Sequence, residues 1–449
     1  MHAILTRPDT SILCGAAMLL AAILACGLLA PPLFWLLLAA TVAAGVAFLA
    51  LRFPTGFCVA WLLLTGMSLE MTLHDLVGAE TYQPAIAVVK GIEIGLGFLC
   101  ALRFGPRLDP LCPVWAFLAI LTSGLVHGLY PGLTTADSLR SMIGSAAPFV
   151  FCFCRVPRSW AGAIIRATKW CPLLAVAGCV PLTMAGIRPL FIDSGGARLG
   201  GLGHPAFLAG VCLPAIYACL IQLFREGRRG DLLLLLANGL ILLLTGARAP
   251  CACAVGVTGF SLISIRSSTF APRDRLLLIM AALALLPLLA LLAGDLGEVR
   301  LFNVVINETG NLSGRGLLWP RFEDAAAQSP WFGWGIGAGN AVIPPDGRIA
   351  RMLHTWAAHN EYLRIEVEGG VCGEALLVAL FTGWVIVHTR ELPPSDRRIM
   401  RLAFLALAGH AFTDNVLIST PACVMFAFAT AVFARGRPGM ALPDSRLVA

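Results

Sequence analysis

The chain has 449 residues, of which 58% are hydrophobic and 13% are charged. Soluble domains have roughly 45–50% apolar and about 25% charged residues, so this composition excludes a soluble globular protein and predicts a polytopic membrane protein. The formal net charge is +7. The arginines lie mainly at the ends of apolar runs, which indicates membrane orientation rather than a nucleic-acid-binding surface.

Apolar runs long enough to cross about 30 Å of hydrocarbon recur along the whole chain. They predict an all-α fold with about 12–14 transmembrane helices, because backbone groups in lipid must be paired and no alternating barrel pattern is present. The predicted spans are 11–30, 32–51, 55–71, 84–103, 111–130, 139–156, 160–186, 203–224, 231–246, 249–266, 276–294, 368–389, 399–414 and 417–434.

Arginines are concentrated in every second loop between these spans. Examples are Arg52, Arg103, Arg155, Arg225, Arg266, Arg390 and Arg435. The positive-inside rule assigns these loops and both termini to the cytoplasm. The remaining loops then face outward, and they include one of about 70 residues, a length that is usually functional.

This alternation predicts three regions. Residues 1–294 form N-terminal transmembrane helices with arginine motifs at their outer edge, and residues 295–367 form the long outer loop with catalytic motifs. Residues 368–449 form the C-terminal transmembrane helices and a cytoplasmic tail. Cysteines such as Cys100 and Cys251 lie in apolar segments without a CxxC pattern, so neither a metal site nor a cofactor is predicted.

Four polar features fall on the outer side, where the orientation rule does not account for them. They are Arg198, Arg248, Arg315 and the stretch WAAHNEYLRIEVEGG, which contains His359. Each arginine alone is compatible with a snorkelling or solvated side chain, and a loop histidine is more often structural than catalytic. Several guanidinium groups at one membrane face nevertheless suggest a clamp for a phosphate or a diphosphate.

Other polar residues have structural interpretations. The stretch GWGIGAGN (333–340) lacks a βαβ context for dinucleotide binding and predicts a tight turn packed by Trp331 and Trp334. Lys90 and Glu93 are one helical turn apart, which favours an internal ion pair. The role of Asp414, near the outer end of a predicted span, stays open.

Two further positions involve prolines. Pro250 is predicted to break the helix after Arg248. His204 precedes Pro205 at a predicted helix start, which favours a structural role.

The stretch around His359 resembles the O-antigen ligase and polymerase superfamily of bacterial inner-membrane glycosyltransferases. Its residues are similar to the family's H-N-x-Y-L…E-x-G-x-x-G run, at His359, Asn360, Tyr362, Leu363, Glu368, Gly370 and Gly373. Gly314-Arg315 with Trp319 resembles the family's G-R…W pattern. Arg198 and Arg248 resemble the arginines of two motifs at the membrane edge, although Ala247 and His204 stand where the family often has serine and asparagine.

The resemblance implies a GT-C-like, metal-independent glycosyltransferase in the bacterial inner membrane with its active site facing the periplasm. The implied donor is a glycan on undecaprenyl pyrophosphate, and the implied acceptor is a sugar hydroxyl of lipid A–core or a growing glycan. His359 would act as the base, and Arg198, Arg248 and Arg315 would stabilise the diphosphate. Asn360, Glu368 and Tyr362 would contact substrate, and Glu368 and Asn360 would orient His359 or the sugar. A repeat-unit polymerase, a protein O-oligosaccharyltransferase and a lipid or glycan transporter are the alternatives.

Overall fold

The computed structural model of the protein describes residues 45, 48, 50–280, 284 and 315–436, apart from short gaps at 69, 73–75, 77, 79–81, 194–195, 268 and 354. The predicted spans 11–30, most of 32–51 and most of 276–294 therefore lie outside the described residues, as do residues 295–314 of the long loop. The chain divides into two compact units, residues 1–58 and 59–449. All candidate site residues belong to the second unit.

The described part of the chain is built almost entirely from helices. They are α1 (Pro54–Gly66), α2 (Tyr82–Phe104), α3 (Val114–His127), α4 (Thr135–Ala146), α5 (Arg158–Met184), α6 (Pro205–Glu226), α7 (Arg229–Leu244), α8 (Arg248–Ser264), α9 (Arg315–Gln328), α10 (Arg348–Leu353), α11 (Glu361–Arg390), α12 (Pro394–Ala411) and α13 (Thr420–Gly436). Short 3-10 helices cover Ala147–Phe153 and Ala338–Asn340.

The helical membrane fold is confirmed at this level. Four helices in the described part are long and apolar enough to cross a membrane, namely Ala85–Phe104, Arg158–Met184, Pro205–Glu226 and Glu361–Arg390. Shorter apolar helices cover Pro54–Gly66, Val114–His127, Arg248–Ser264 and Thr420–Gly436. The total of about 12–14 spans and the GT-C-like architecture stay predictions.

Helix α6 forms the centre of the second unit. It is apolar on all sides and is packed against α5, α7, α12 and α13, as expected for a helix buried within a bundle. A helix of this length extends about 33 Å, enough to cross the hydrocarbon layer. At its C-terminal end Arg225 pairs with the buried Asp396 of α12, while its N-terminal end lies at the candidate site.

One departure from the all-α prediction is a small hairpin between α5 and α6. Strands β1 (Phe191–Asp193) and β2 (Ala197–Leu199) pair antiparallel, and Arg198 lies opposite Ile192. The apolar periodicity of the flanking spans gave no signal for such short strands. The hairpin carries Arg198 to the end of α7, where it contacts Thr245.

Helix α11 begins at Glu361, inside the predicted outer loop, and runs across the predicted region boundary at 367/368. It is kinked at Gly370, where φ is 57°. The glycine-rich turn lies against this kink: Trp334 N–H donates to Val367 O at 2.9 Å and Gly335 N–H to Glu368 O at 2.8 Å. The turn thereby pairs carbonyl groups that the interrupted helix leaves open.

The glycines of this turn are required by close backbone contact. A Cβ on Gly333 would lie 2.4 Å from the backbone carbon of Glu368. Trp334 packs beside Tyr130 and donates from Nε1 to Ala325 O at 2.8 Å. The predicted packing role of Trp331 was wrong, because this side chain is 65% exposed.

The described part of the long loop folds onto the start of α11. Phe322, Ala338 and Val367 are buried together in an apolar cluster that joins α9, the glycine-rich turn and α11. Trp319 of α9 donates from Nε1 to Ala358 O at 3.0 Å. This contact fixes the residue that immediately precedes His359.

Candidate active site

His359 lies between two hydrogen-bonding side chains. Its Nδ1 is 3.2 Å from Asp414 Oδ1, and its Nε2 is 3.0 Å from the Thr355 hydroxyl. Asp414 Oδ1 also accepts from Asn415 N–H at 2.9 Å. An ionised carboxylate can only accept hydrogen bonds, so Nδ1 of His359 carries a proton and, in the neutral ring, Nε2 presents its lone pair.

The backbone of His359 is held in an unusual conformation. Its φ is 47°, in the left-handed region that costs a non-glycine residue about 1–2 kcal/mol. The neighbours on both sides fix it: Trp319 binds Ala358, and Asn360 caps α11 by accepting from Tyr362 N–H at 3.1 Å and Leu363 N–H at 3.3 Å. Strain maintained by such contacts is characteristic of functional positions.

Asp414 lies in the turn between α12 and α13 and remains ionised at neutral pH. Burial would raise its pKa, but the hydrogen bond and charge of His359, together with the charge of His410, hold the pKa below its usual value. The His359 and Asp414 side chains are 39% and 35% exposed. The pair is therefore accessible to a substrate.

Arg315 begins α9 and reaches the same turn. Its Nη2 donates to Thr413 O at 2.7 Å. Burial and the charge of Arg248 lower the pKa of Arg315, while the charge of Asp414 opposes that shift. Arg248 and Asp414 consequently both lie within electrostatic reach of Arg315, as the clamp hypothesis requires.

Arg198 and Arg248 both lie at the junction between α7 and α8. Arg198 is buried and donates from Nε to Thr245 O at 2.7 Å. Thr245 ends α7 just before Arg248, which is the first residue of α8. The predicted helix break at Pro250 was wrong: Pro250 lies in the first turn of α8, where its missing N–H has no intrahelical partner to lose.

His204 also belongs to this group, although the sequence favoured a purely structural role for it. It caps α6 by accepting from Ala206 N–H at 3.3 Å. Burial, followed by the charge of Arg198, lowers the pKa of His204 to about 4, and Asp414, Arg188 and His359 also act on it. His204 is therefore neutral at pH 7.

Three predicted substrate-contacting residues have other partners. Glu368 is buried and pairs with Arg364 at 2.7 Å, so the carboxylate that holds His359 is Asp414 instead. Asn360 caps α11. Tyr362 donates to Ala408 O at 3.0 Å and its ring lies 4.3 Å from that of Phe412.

Within α2, the predicted ion pair between Lys90 and Glu93 was wrong, because Lys90 bonds to backbone carbonyls instead. Lys90 donates to Gly144 O at 2.9 Å and to Ile418 O at 3.0 Å, which ties α2 to α4 and to the turn before α13. Glu93 is completely buried nearby. These residues lie outside the group formed by His359, Asp414 and the arginines.

An apolar cavity extends from Asp414 into the bundle. It lies between α6, α12 and α13 and is lined by residues that include Phe207, Leu213, His410 and Met425. A wider groove of about 610 Å³ lies between α3 and α11, but none of the predicted site residues lines it. This cavity has a volume of about 40 Å³, so the polar group at Asp414 borders a small hydrophobic space.

This arrangement combines a base with a cationic surround. His359 can accept a proton at Nε2 with Asp414 behind it, as in other acid–base pairs. Arg198, Arg248 and Arg315 can stabilise negative charge that develops on a leaving group. Among the residues that the structure describes, no three His, Cys, Asp or Glu side chains form a metal-binding group.

The comparisons with known proteins agree with this chemistry. No curated protein matches the chain. A family model described as O-antigen ligase matches residues 232–378, which include Arg248, Arg315 and His359, whereas Arg198, His204 and Asp414 lie outside the match. The match covers about a third of the chain, and over those residues it confirms the resemblance to the O-antigen ligase and polymerase superfamily seen in the sequence.

Proposed function

We propose that the protein transfers a finished polysaccharide from undecaprenyl pyrophosphate to a sugar hydroxyl of lipid A–core at the periplasmic face of the bacterial inner membrane. The observation that carries this proposal is the His359–Asp414 pair, at 3.2 Å, beside three arginines at one end of the bundle. A base and a cationic clamp are the two elements that transfer from a lipid diphosphate needs.

In the proposed reaction the acceptor hydroxyl donates its proton to His359 Nε2 while its oxygen attacks the anomeric carbon of the donor sugar. The bond between that carbon and the diphosphate oxygen breaks, and the electron pair leaves on the diphosphate. Asp414 stabilises the imidazolium that forms. The arginines neutralise the leaving group, so this mechanism requires no divalent metal.

The charge of the site fits such a donor. The guanidinium groups of Arg198, Arg248 and Arg315 outnumber the Asp414 carboxylate among the described residues of the cluster, and a diphosphate diester carries one negative charge on each phosphate. The small apolar cavity beside Asp414, of about 40 Å³, would have to widen to admit the chain of a lipid-linked donor. Asn360 and Tyr362, at the start of α11, remain proposed substrate contacts.

The alternative is a repeat-unit polymerase of the same superfamily, in which the acceptor is a second lipid-linked glycan. Protein O-oligosaccharyl transfer would need a protein acceptor at the same base. A transporter would use the cluster to bind a substrate without transfer. The base–carboxylate pair favours an enzyme, because transport does not require a proton acceptor of this kind.

Analysis of surface polysaccharide in a deletion strain separates these functions. Loss of lipid-A-linked polymer together with accumulation of lipid-linked polymer supports the ligase. Single repeat units on the core would instead identify a polymerase. Reconstitution with purified donor and acceptor in EDTA tests the mechanism, since loss of wild-type turnover in EDTA would contradict a metal-free transfer.

A further inference from the structure

His204 belongs to a group with Arg198, Arg248, Arg315, His359 and Asp414, called the outer cluster here, and its position is well fixed. The loop before it is bound from two sides: Arg188 donates from Nε to Gly201 O at 3.0 Å and from Nη2 to Gly203 O at 2.6 Å. Thr72 donates to Leu202 O at 2.8 Å. These contacts hold the backbone of His204 before α6 begins.

The hydrogen bond to the helix determines which ring nitrogen carries the proton. Nδ1 accepts from Ala206 N–H, and a nitrogen that accepts cannot also be protonated. The neutral ring therefore carries its proton on Nε2 and presents an N–H donor there. Because the pKa of His204 is lowered to about 4 by burial and by Arg198, this state persists throughout the physiological pH range.

The groups around the ring indicate what this donor binds. Arg188, Arg198 and His359 act on His204 as positive neighbours and Asp414 as a negative one. Asp414 Oδ1 already accepts from His359 and from Asn415 N–H. A partly accessible donor beside Arg198 is suited to an anionic oxygen, and a neutral donor adds a hydrogen bond without increasing the cationic repulsion.

We propose that His204 binds the lipid-linked diphosphate, donating from Nε2–H to a phosphate oxygen held by Arg198. This inference rests on the proposed function, which supplies the diphosphate. His204 would thus act as a substrate-binding residue in addition to capping α6. Its contribution lies in donor affinity rather than in proton transfer, which remains with His359.

The test compares three substitutions in the full-length protein in nanodiscs. Asn and Asp are both good helix caps of similar size, but only Asn keeps an N–H donor, and Ala lacks both the cap and the donor. The measurement is binding of undecaprenyl diphosphate without glycan. His204→Asn should bind within about 3-fold of wild type, and His204→Asp should bind about 10–100-fold more weakly, as for a lost hydrogen bond to a charged group.

Two comparisons separate the loss of the N–H donor from a change of charge and from the loss of the helix cap. His204→Ala is neutral, and it should bind about 10-fold more weakly than His204→Asn; equal binding by these two variants would overturn the proposal. Thermal unfolding reports the cap. A cap-only role predicts that Asn and Asp bind alike and that only Ala unfolds earlier.

The remaining outcomes separate this inference from the proposed function. An effect on kcat alone, with unchanged binding, would mean that His204 acts through Asp414. That result would overturn the diphosphate contact. Equal weakening toward phosphatidylglycerol would reduce the site to general contact with anionic lipid, again overturning it. If wild type bound no undecaprenyl diphosphate, the donor assignment itself would fail, whereas wild-type binding with equal affinity in all variants would remove only the role of His204.

Discussion

Two arginines near the start of α11, Arg364 and Arg315, have opposite electrostatic surroundings. Arg364 is buried and bonds two carboxylates, those of Glu361 and Glu368. Arg315 donates to a backbone carbonyl and lies near another arginine, Arg248. A buried charge needs a partner, and α11 itself provides the partners of Arg364.

The difference distinguishes structural charges from functional ones. At Arg364 the guanidinium bonds two carboxylates of its own helix, so this arginine needs no anionic ligand. At the outer cluster the guanidinium charges exceed the Asp414 carboxylate, and the excess suits an anionic substrate. Substitutions in the first group should therefore alter stability, whereas substitutions in the second should alter catalysis.

The largest effect is expected at His359. His359→Ala should reduce transfer by about 10²–10⁴-fold, the usual contribution of general acid–base catalysis. His359→Gln keeps polarity but cannot take up a proton, so it should be nearly as inactive. Turnover is measured in the reconstituted assay, and binding of undecaprenyl diphosphate should persist in both variants.

A structural His359 would behave differently. Glutamine would then restore much of the activity, and alanine would lower the yield of folded protein instead. Robust turnover by His359→Gln would end the general-base assignment.

Arg364 provides the contrasting case. Arg364→Met leaves Glu361 and Glu368 buried without their cation, and it should destabilise the protein by about 3–5 kcal/mol. Chemical denaturation in detergent measures this change. Arg140, which is exposed and pairs with Asp137 at 3.5 Å, is the control, because Arg140→Met should alter stability by less than about 1 kcal/mol. A stable Arg364→Met variant that lost donor binding would show that Arg364 binds substrate rather than stabilising the fold.

Asp414 tests whether the carboxylate orients the base. Asp414→Asn retains shape but favours the wrong tautomer of His359, and it should reduce kcat by about 10²-fold or more. The pKa of Asp414 lies below its usual value. The contribution of the ionised carboxylate to kcat is therefore present at neutral pH and is lost only as the pH falls through the lowered pKa. Above the ordinary titration range of imidazole, at about pH 8–9, the ratio of wild-type to variant kcat should therefore be constant; a ratio that changed there would contradict an ionised Asp414.

The contrast also shows what the sequence could and could not reveal. Arg198, Arg248, Arg315 and His359 stood out because each violates an orientation pattern that is readable in one dimension. Asp414 was noticed but could not be assigned, since its contact with His359 spans 55 residues. The partner of Glu368 lay four residues away, at Arg364, yet the histidine motif drew the interpretation toward His359.

Helix positions were predicted well where hydrophobicity defines them and poorly where tertiary contacts do. The predicted spans 203–224 and 231–246 fall within two residues of α6 and α7. Helix α11 instead extends into the polar stretch, because the Asn360 cap and the Arg364 pairs stabilise its first turns. Apolar periodicity cannot report a turn stabilised by buried ion pairs.

Arg248 tests the geometry of the clamp. Arg248→Lys retains the charge but loses the planar fork, and it should reduce kcat/KM by about 10-fold or more, the value of one charge-assisted hydrogen bond. The exposed Arg266 at the other end of α8 is the matched control, and Arg266→Lys should be nearly silent. Equal behaviour of both lysine variants in complementation and in the reconstituted assay would remove Arg248 from the clamp.

Thr355 should give the smallest effect, and it tests how the acceptor reaches the base. The Thr355 hydroxyl lies 3.0 Å from His359 Nε2, and because Nε2 presents a lone pair, the hydroxyl donates to it. An acceptor sugar must displace this hydrogen bond.

Thr355→Val removes the hydroxyl donor at similar volume. The KM for the acceptor should therefore fall by about 2–10-fold, the worth of one neutral hydrogen bond, with little change in kcat. Thr355→Ser keeps the hydroxyl and should match wild type. A lower kcat in Thr355→Val at unchanged KM would mean that the hydroxyl relays the proton, and the acceptor would then approach Thr355 rather than His359 directly.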